Sequence, residues 1–339
     1  MHYHRVGRLV VGLGIALVGL GIGPAKAEPL FGISEFSDHL DTFNPATGQT
    51  LSSVVVTGTA GGFRDIVSNH AGQLLVASWG AHGEAPVGGD NVLFQLNPTT
   101  GATTAIGAIT NGTGKVYWVE GMAWVNGALY GSANPYDLST GKYEGYTNDG
   151  ATELITIDPT TGHATDIGYF GSNFLNMQNI AYSPSYGLIG SDIGTLDPTL
   201  ANPNDPNSAF QTFHTTPSLV KIDLTTGQAT KIADMPHDPN TLISNPINNY
   251  LSPQATYVAG LDFTPDGRTL YGATIQTHFG GSNSGLVTID PVTGAVTSIG
   301  TLNEPLVVGL TFAAVPEPSA FVLFGLGLVV VGLWRLRSS

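Results

Sequence analysis

The chain has 339 residues, with 45 Gly, 21 Pro and no Cys; 11% of its residues are charged and its formal net charge is −14. The missing cysteines exclude disulfides, thiolate metal sites and cysteine nucleophiles. Abundant Gly and Pro interrupt helices and favour short strands joined by tight turns.

Residues 1–27 read as a secretory signal peptide. Arg5 and Arg8 supply the positive start and Leu9 to Gly23 the apolar run. Ala25 and Ala27 supply the small residues that a signal peptidase needs at its cleavage site. A retained membrane anchor is the alternative reading, but the run is short for a bilayer. Setting aside the basic residues of the two ends, Arg64, Lys115, Lys142, Lys221, Lys231 and Arg268 face the chain's 25 acids, a balance of about −19. Such a surface repels DNA, RNA and anionic headgroups, so no nucleic-acid partner is expected.

From residue 28 onward the sequence repeats itself. One phrase recurs as "NPATGQT" from Asn44, "NPTTGATTAIG" from Asn97, "DPTTGHATDIG" from Asp158, "DLTTGQATKIA" from Asp223 and "DPVTGAVTSIG" from Asp290. Each copy predicts a hairpin: Asp or Asn opens the turn, Pro pre-sets φ in most copies, and Gly takes a positive φ. A second strand–turn–strand phrase precedes it, as in "VEGMAWVNGALYGSA" (119–133), "QNIAYSPSYGLIGSD" (178–192) and "VAGLDFTPDGRTLYGAT" (258–274), with a looser copy at 63–79. Together they make a four-stranded antiparallel unit, A-B-C-D, like one propeller blade. The first copy lacks its A strand, while "VVGLTFA" (307–313) is an A strand with nothing after it. Splicing the two closes a ring and leaves no unpaired edge at the seam. The expected fold over 28–314 is therefore an all-β propeller of five four-stranded blades, closed by pairing a C-terminal strand with the N-terminal blade. This pattern resembles the broad class of secreted bacterial β-propellers, a resemblance that implies architecture and leaves function open.

In such a ring the A–B and C–D turns share one face and the B–C and D–A connections the other. The long connections fall on the second face, where binding residues tend to gather. Candidates there are Glu84 and Asp90; Tyr136, Tyr143 and Tyr146; and Asp192, Asp197 and Asp205. The oxygen-rich sets suit Ca²⁺, a hard cation, although no EF-hand pattern is present and Asp and Asn equally make turns. The tyrosines suit stacking on sugar rings, whereas Trp79 and Trp118 abut strands and read as core. No catalytic motif of the H-E-x-x-H or G-x-S-x-G kind occurs. A channel hydrolase would have to draw on groups such as Glu120 and Asp262, whose facing the periodicity does not decide.

The chain ends with "VPEPSAFVLFGLGLVVVGLWRLRSS". Val315, Pro316, Glu317 and Pro318 precede an apolar helix expected over 320–334, and Arg335 and Arg337 follow in the basic end, 335–339. The arrangement resembles the PEP-CTERM sorting signal of Gram-negative bacteria. That resemblance implies export past a signal peptidase, a transient inner-membrane tether through the helix, recognition by an exosortase-type enzyme, and delivery to the cell surface or extracellular matrix. It further implies association with exopolysaccharide or biofilm. The expected function is a non-enzymatic binding or structural protein contacting polysaccharide or matrix proteins; an exported metal-dependent hydrolase or lyase at the channel is the alternative.

Overall fold

The computed structural model describes residues 28–313 apart from 35–36, 59–61, 70–71, 79–90, 141, 144–151, 175, 194–216, 236–237, 245–250, 255–256 and 276–282. Residues 1–27, with the expected cleavage residues Ala25 and Ala27, and the tail from residue 314 lie outside them.

The described residues form strands and turns. The first blade contains β1 (Leu30–Ser34), β2 (His39–Phe43) and β3 (Thr50–Val55). The second is β4 (Phe63–Ser68), β5 (Leu74–Ser78), β6 (Val92–Leu96) and β7 (Thr103–Ala108). The third begins with a long hairpin, β8 (Lys115–Val125) and β9 (Ala128–Asp137). A two-residue strand, β10 (Lys142–Tyr143), pairs with the end of β9, and the blade continues with β11 (Glu153–Ile157) and β12 (Ala164–Tyr169). The fourth is β13 (Met177–Ser183), β14 (Gly187–Asp192), β15 (Ser218–Ile222) and β16 (Ala229–Asp234). A separate hairpin, β17 (Asp238–Ser244) and β18 (Leu251–Gln254), interrupts what the sequence suggests is a plain D–A loop. The fifth blade is β19 (Tyr257–Phe263), β20 (Leu270–Ile275), β21 (Asn283–Ile289) and β22 (Val296–Pro305).

The last strand, β23 (Val307–Phe312), returns to the first blade and pairs antiparallel with β1, placing Leu30 opposite Phe312 and Gly32 opposite Leu310. Five antiparallel four-stranded blades thus form a closed β-propeller, with the seam where the sequence puts it. The inner strands β4, β8, β13, β19 and β23 pack side by side around the axis, and β23 meets β4 to complete the circle.

The apolar core lies between blades as five clusters, one at each junction. Val67, Leu75 and Leu93 of the second blade, for instance, meet Tyr117, Val119, Leu129 and Ile155 of the third. Other clusters join the third to the fourth, fourth to fifth, fifth to first and first to second. Burying both faces of a sheet explains why β1 and β5 are apolar or small throughout rather than alternating.

Local chemistry sets the turns. In the third blade, Asp158 Oδ1 accepts from the Thr160 amide at 2.8 Å and its hydroxyl at 2.7 Å, while Gly162, at φ 80°, donates to the Asp158 carbonyl. These bonds hold the Asp158 carboxyl below the usual range. The same turn recurs at Asp223 and Asp290. Each C–D turn then docks on the outer strand of the preceding blade. A Cβ built on Gly107 would strike the carbonyl of Thr161 in the next blade's turn, and Gly168 and Gly300 stand likewise against Thr226 and Thr47. These are the glycines of the repeated "IG". Backbone bonds cross the same joints: Thr103 N to Thr57 O at 3.0 Å, Ala164 N to Thr110 O at 2.9 Å and Ala229 N to Phe170 O at 2.9 Å.

Candidate functional site

All five inner strands carry a β-bulge at the same level. Pairing with the second strand of each blade shifts register around Arg64, Glu120, Gln178, Ala259 and Val308. A bulge inserts one residue and re-aims its neighbours. The residues that follow are Asp65, Gly121, Asn179, Gly260 and Gly309. They form one layer about the axis, made of two polar side chains and three glycines.

The glycines make room at this level. A Cβ on Gly309 would stand 2.7 Å from Asp65 Oδ1, and one on Gly121 would stand 2.6 Å from the Cα of Asn179. Into this space Asn179, fully buried, sends its side-chain amide to Asp65 Oδ1 at 3.0 Å and to the Val308 carbonyl at 3.3 Å. Asp65 Oδ2 accepts from the Met122 amide at 2.5 Å. Four of the five blades are thereby tied at one layer. Burial pushes the Asp65 carboxyl well above its ordinary value, partly offset by the bonds from Asn179, Met122 and Ile66.

Two residues further along its strand, Asp262 makes the next joint. Its Oδ2 accepts from the Phe312 amide at 2.8 Å and from the Thr311 hydroxyl at 3.0 Å, both on β23; its Oδ1 accepts from its neighbour Phe263 at 2.8 Å. Thr311 Oγ1 in turn accepts from the Ser68 amide at 3.0 Å. The chain Asp262–Thr311–Ser68 links the fifth, first and second blades. Burial raises the Asp262 carboxyl to about 7.

Glu120, a residue the sequence singles out for the channel, sits in its bulge beside Arg64 at 3.5 Å, both largely buried. The Arg64 guanidinium also lies over the Trp118 ring, 5.0 Å from its centroid. The axis therefore holds acids, but donors of neighbouring strands engage their oxygens. Among the described residues, no group of three or more His, Asp or Glu side chains is placed to hold one metal ion.

The loop-face candidates fare differently. Glu84, Asp90, Tyr146, Asp197 and Asp205 lie outside the described residues. Tyr136 and Asp192 belong to strands where the sequence suggests connections. Tyr136 lies buried in β9 opposite Val116, because the β8–β9 hairpin extends beyond the motif that marks it. Asp192 ends β14, is buried, and accepts the Asn176 amide at 3.0 Å. Tyr143 lies in β10, paired with Tyr136. The sequence reading missed Asp65 and Asn179. The available signal is the aligned inner-strand position, Asp-Gly-Asn-Gly-Gly around the ring, where two polar residues stand among three glycines.

No curated protein matches the chain. Among solved structures it is similar to a protein of unknown function from Bacteroides caccae (10% identity, 84% of this chain and 98% of the other, TM-score 0.43). It is also similar to regucalcin, a calcium-binding protein from Agrobacterium tumefaciens strain C58 (14% identity, 85% and 78% coverage, TM-score 0.38). The WD40 repeats of RRP9 are a third (10% identity, 84% and 81% coverage, TM-score 0.36). At such scores none of them bears on what this chain does. Residues 314–338 match the PEP-CTERM protein-sorting motif. That signal implies an exported protein processed by an exosortase-type enzyme on its way to the cell surface. The chain is a five-bladed β-propeller that carries a PEP-CTERM sorting signal immediately after the strand that closes its ring.

Proposed function

We propose that this is a non-enzymatic protein of the cell surface or extracellular matrix, whose long-loop face engages polysaccharide or matrix proteins. The observation that carries the reading is the junction of fold and signal. β23 ends at Phe312 and the sorting motif starts at residue 314, so processing at the motif leaves every blade whole. The axial acids support a structural body: Asp65 and Asp262 are bonded to neighbouring strands. Deleting the gene and measuring surface polysaccharide and biofilm tests the proposal, together with a glycan array probed with the exported protein. Unchanged matrix and a flat array would remove it.

One observation favours the alternative, an exported hydrolase or lyase at the channel. Asp262, poised near 7, has the value expected of a general acid or base. Against it, both oxygens of that carboxylate already accept hydrogen bonds. An Asp262→Asn variant that abolishes a measured activity while keeping the fold would revive the enzyme reading.

A further inference from the structure

A second group of acids sits away from the axis, where the N-terminal and C-terminal parts of the ring meet. Asp41 lies on β2, contributed by the N-terminal segment. It is buried to 1% exposure, yet its Oδ1 has no hydrogen-bond partner. Ser53, opposite it on β3, bonds to the carboxylate; burial raises the Asp41 carboxyl, and Ser53 and then the nearby His39 act against that rise. Glu304 lies on β22, contributed by the C-terminal segment. Its carboxyl is raised by burial and then by the negative charge of Asp41, while His39 and the Ser37 hydroxyl act in the opposite direction. Phe43, two residues along β2 from Asp41, and Leu302, two residues along β22 from Glu304, pack in one core cluster between the fifth and first blades, so the two strands bring these carboxylates, from opposite ends of the chain, to the same junction.

The backbone holds them there. A single residue, Leu306, joins β22 to β23; it is buried and has φ 51°, a conformation rare for a side chain of its size. The Val307 amide beyond it donates to the buried Ser284 hydroxyl at 2.9 Å. With no slack in this connection, Glu304 cannot drift from β2 without disturbing the closing strand. A carboxylate oxygen buried without a partner, as Asp41 Oδ1 is, is costly unless positive charge meets it.

We propose that Asp41 and Glu304 bind a hard divalent cation, of the Ca²⁺ class, that stitches the propeller's seam. Two carboxylates with the hydroxyls of Ser37 and Ser53 offer the oxygen donors such an ion takes, and water completes its shell. The site is separate from the axial layer, and the inference stands whatever the loop face binds.

Thermal unfolding of the full chain in detergent tests it, with Ca²⁺ alone added at millimolar concentration and with EDTA as the reference. The expected result is a rise in Tm of roughly 3 °C or more in Ca²⁺, absent in Asp41→Asn and in Glu304→Gln. In EDTA these neutral variants should melt at or above the wild-type temperature, because they remove the repulsion. Three outcomes overturn the proposal. Wild type that ignores Ca²⁺, with a stabilisation on acidification that Asp41→Asn or Glu304→Gln diminishes, would show that a proton neutralises the pair. A full Ca²⁺ shift retained in both variants would place the ion elsewhere. A shift with Zn²⁺ and none with Ca²⁺ would remove the hard-cation assignment.

Discussion

The side-chain amide of Asn179, on the fourth blade, donates to Oδ1 of Asp65, on the second, at 3.0 Å. The third blade lies between these two in the ring, so the bond reaches past a neighbour. It is open to them because Gly121 and Gly309 leave the layer empty of other side chains. Asn179→Ala should remove two hydrogen bonds and leave a buried carboxylate short of a donor, costing about 2–4 kcal/mol in urea unfolding. Asn179→Asp should be worse at neutral pH and recover as pH falls, since it sets a second acid beside Asp65. Equal losses for the two variants at every pH would mean that Asp65 is not the partner that matters.

Stability should rise as pH falls from about 7 to about 4. The Asp262 carboxyl is raised to about 7 in the folded state, against about 3.9 in an unfolded chain. Its contribution is fully present below the unfolded value and is lost as pH climbs through the folded one. Asp137, Asp158, Asp223, Asp266 and Asp290 are shifted the other way by turn hydrogen bonds. Their contributions fade only at lower pH, whereas Asp65, Asp41 and Glu304, also raised by burial, act in the same direction as Asp262. Asp262→Asn should reduce the slope between pH 4 and 7 in chemical unfolding without abolishing it; an unchanged slope would assign the pH dependence to the other groups.

The rim glycines should be less tolerant than glycines that merely turn the chain. Gly107→Val drives a side chain into the Thr161 carbonyl of the next blade. It should cost about 2–3 kcal/mol or prevent folding. Gly127 has φ 88° and nothing within 4 Å of a built Cβ. Gly127→Asn should cost under about 1 kcal/mol, because Asn tolerates that conformation. Comparing melting temperatures checks both, and similar losses would refute a docking role for the "IG" glycine.

The repeat phrases made the architecture legible because each encodes a complete strand–turn–strand unit. The unmatched "VVGLTFA" and the missing first A strand pointed to the seam by subtraction. The "TTG" and "IG" pair was visible as a repeat, yet its use as turn and dock between blades was not, since that contact joins residues about 55 apart such as Gly107 and Thr161. The axial layer was hidden for a different reason. Five bulges break the two-residue alternation at the level that matters, so periodicity could not tell where Glu120 or Asp262 points. Asp65 and Asn179 lie in separate strands 114 residues apart, each beside another polar residue, Arg64 and Gln178, and only the stacking of five blades brings them together.

The central claim is that the ring closes with β23 and is complete before the sorting signal begins. Its most direct test compares the unfolding of two truncated chains, one ending at Ala313 and one ending at Pro305, with that of the full chain. The first should unfold cooperatively at the full chain's temperature, because β1 keeps its partner and Asp262 keeps Thr311 and Phe312. The second should show no cooperative transition. If the chain ending at Pro305 melts like the other two, β23 does not close the ring and the account fails.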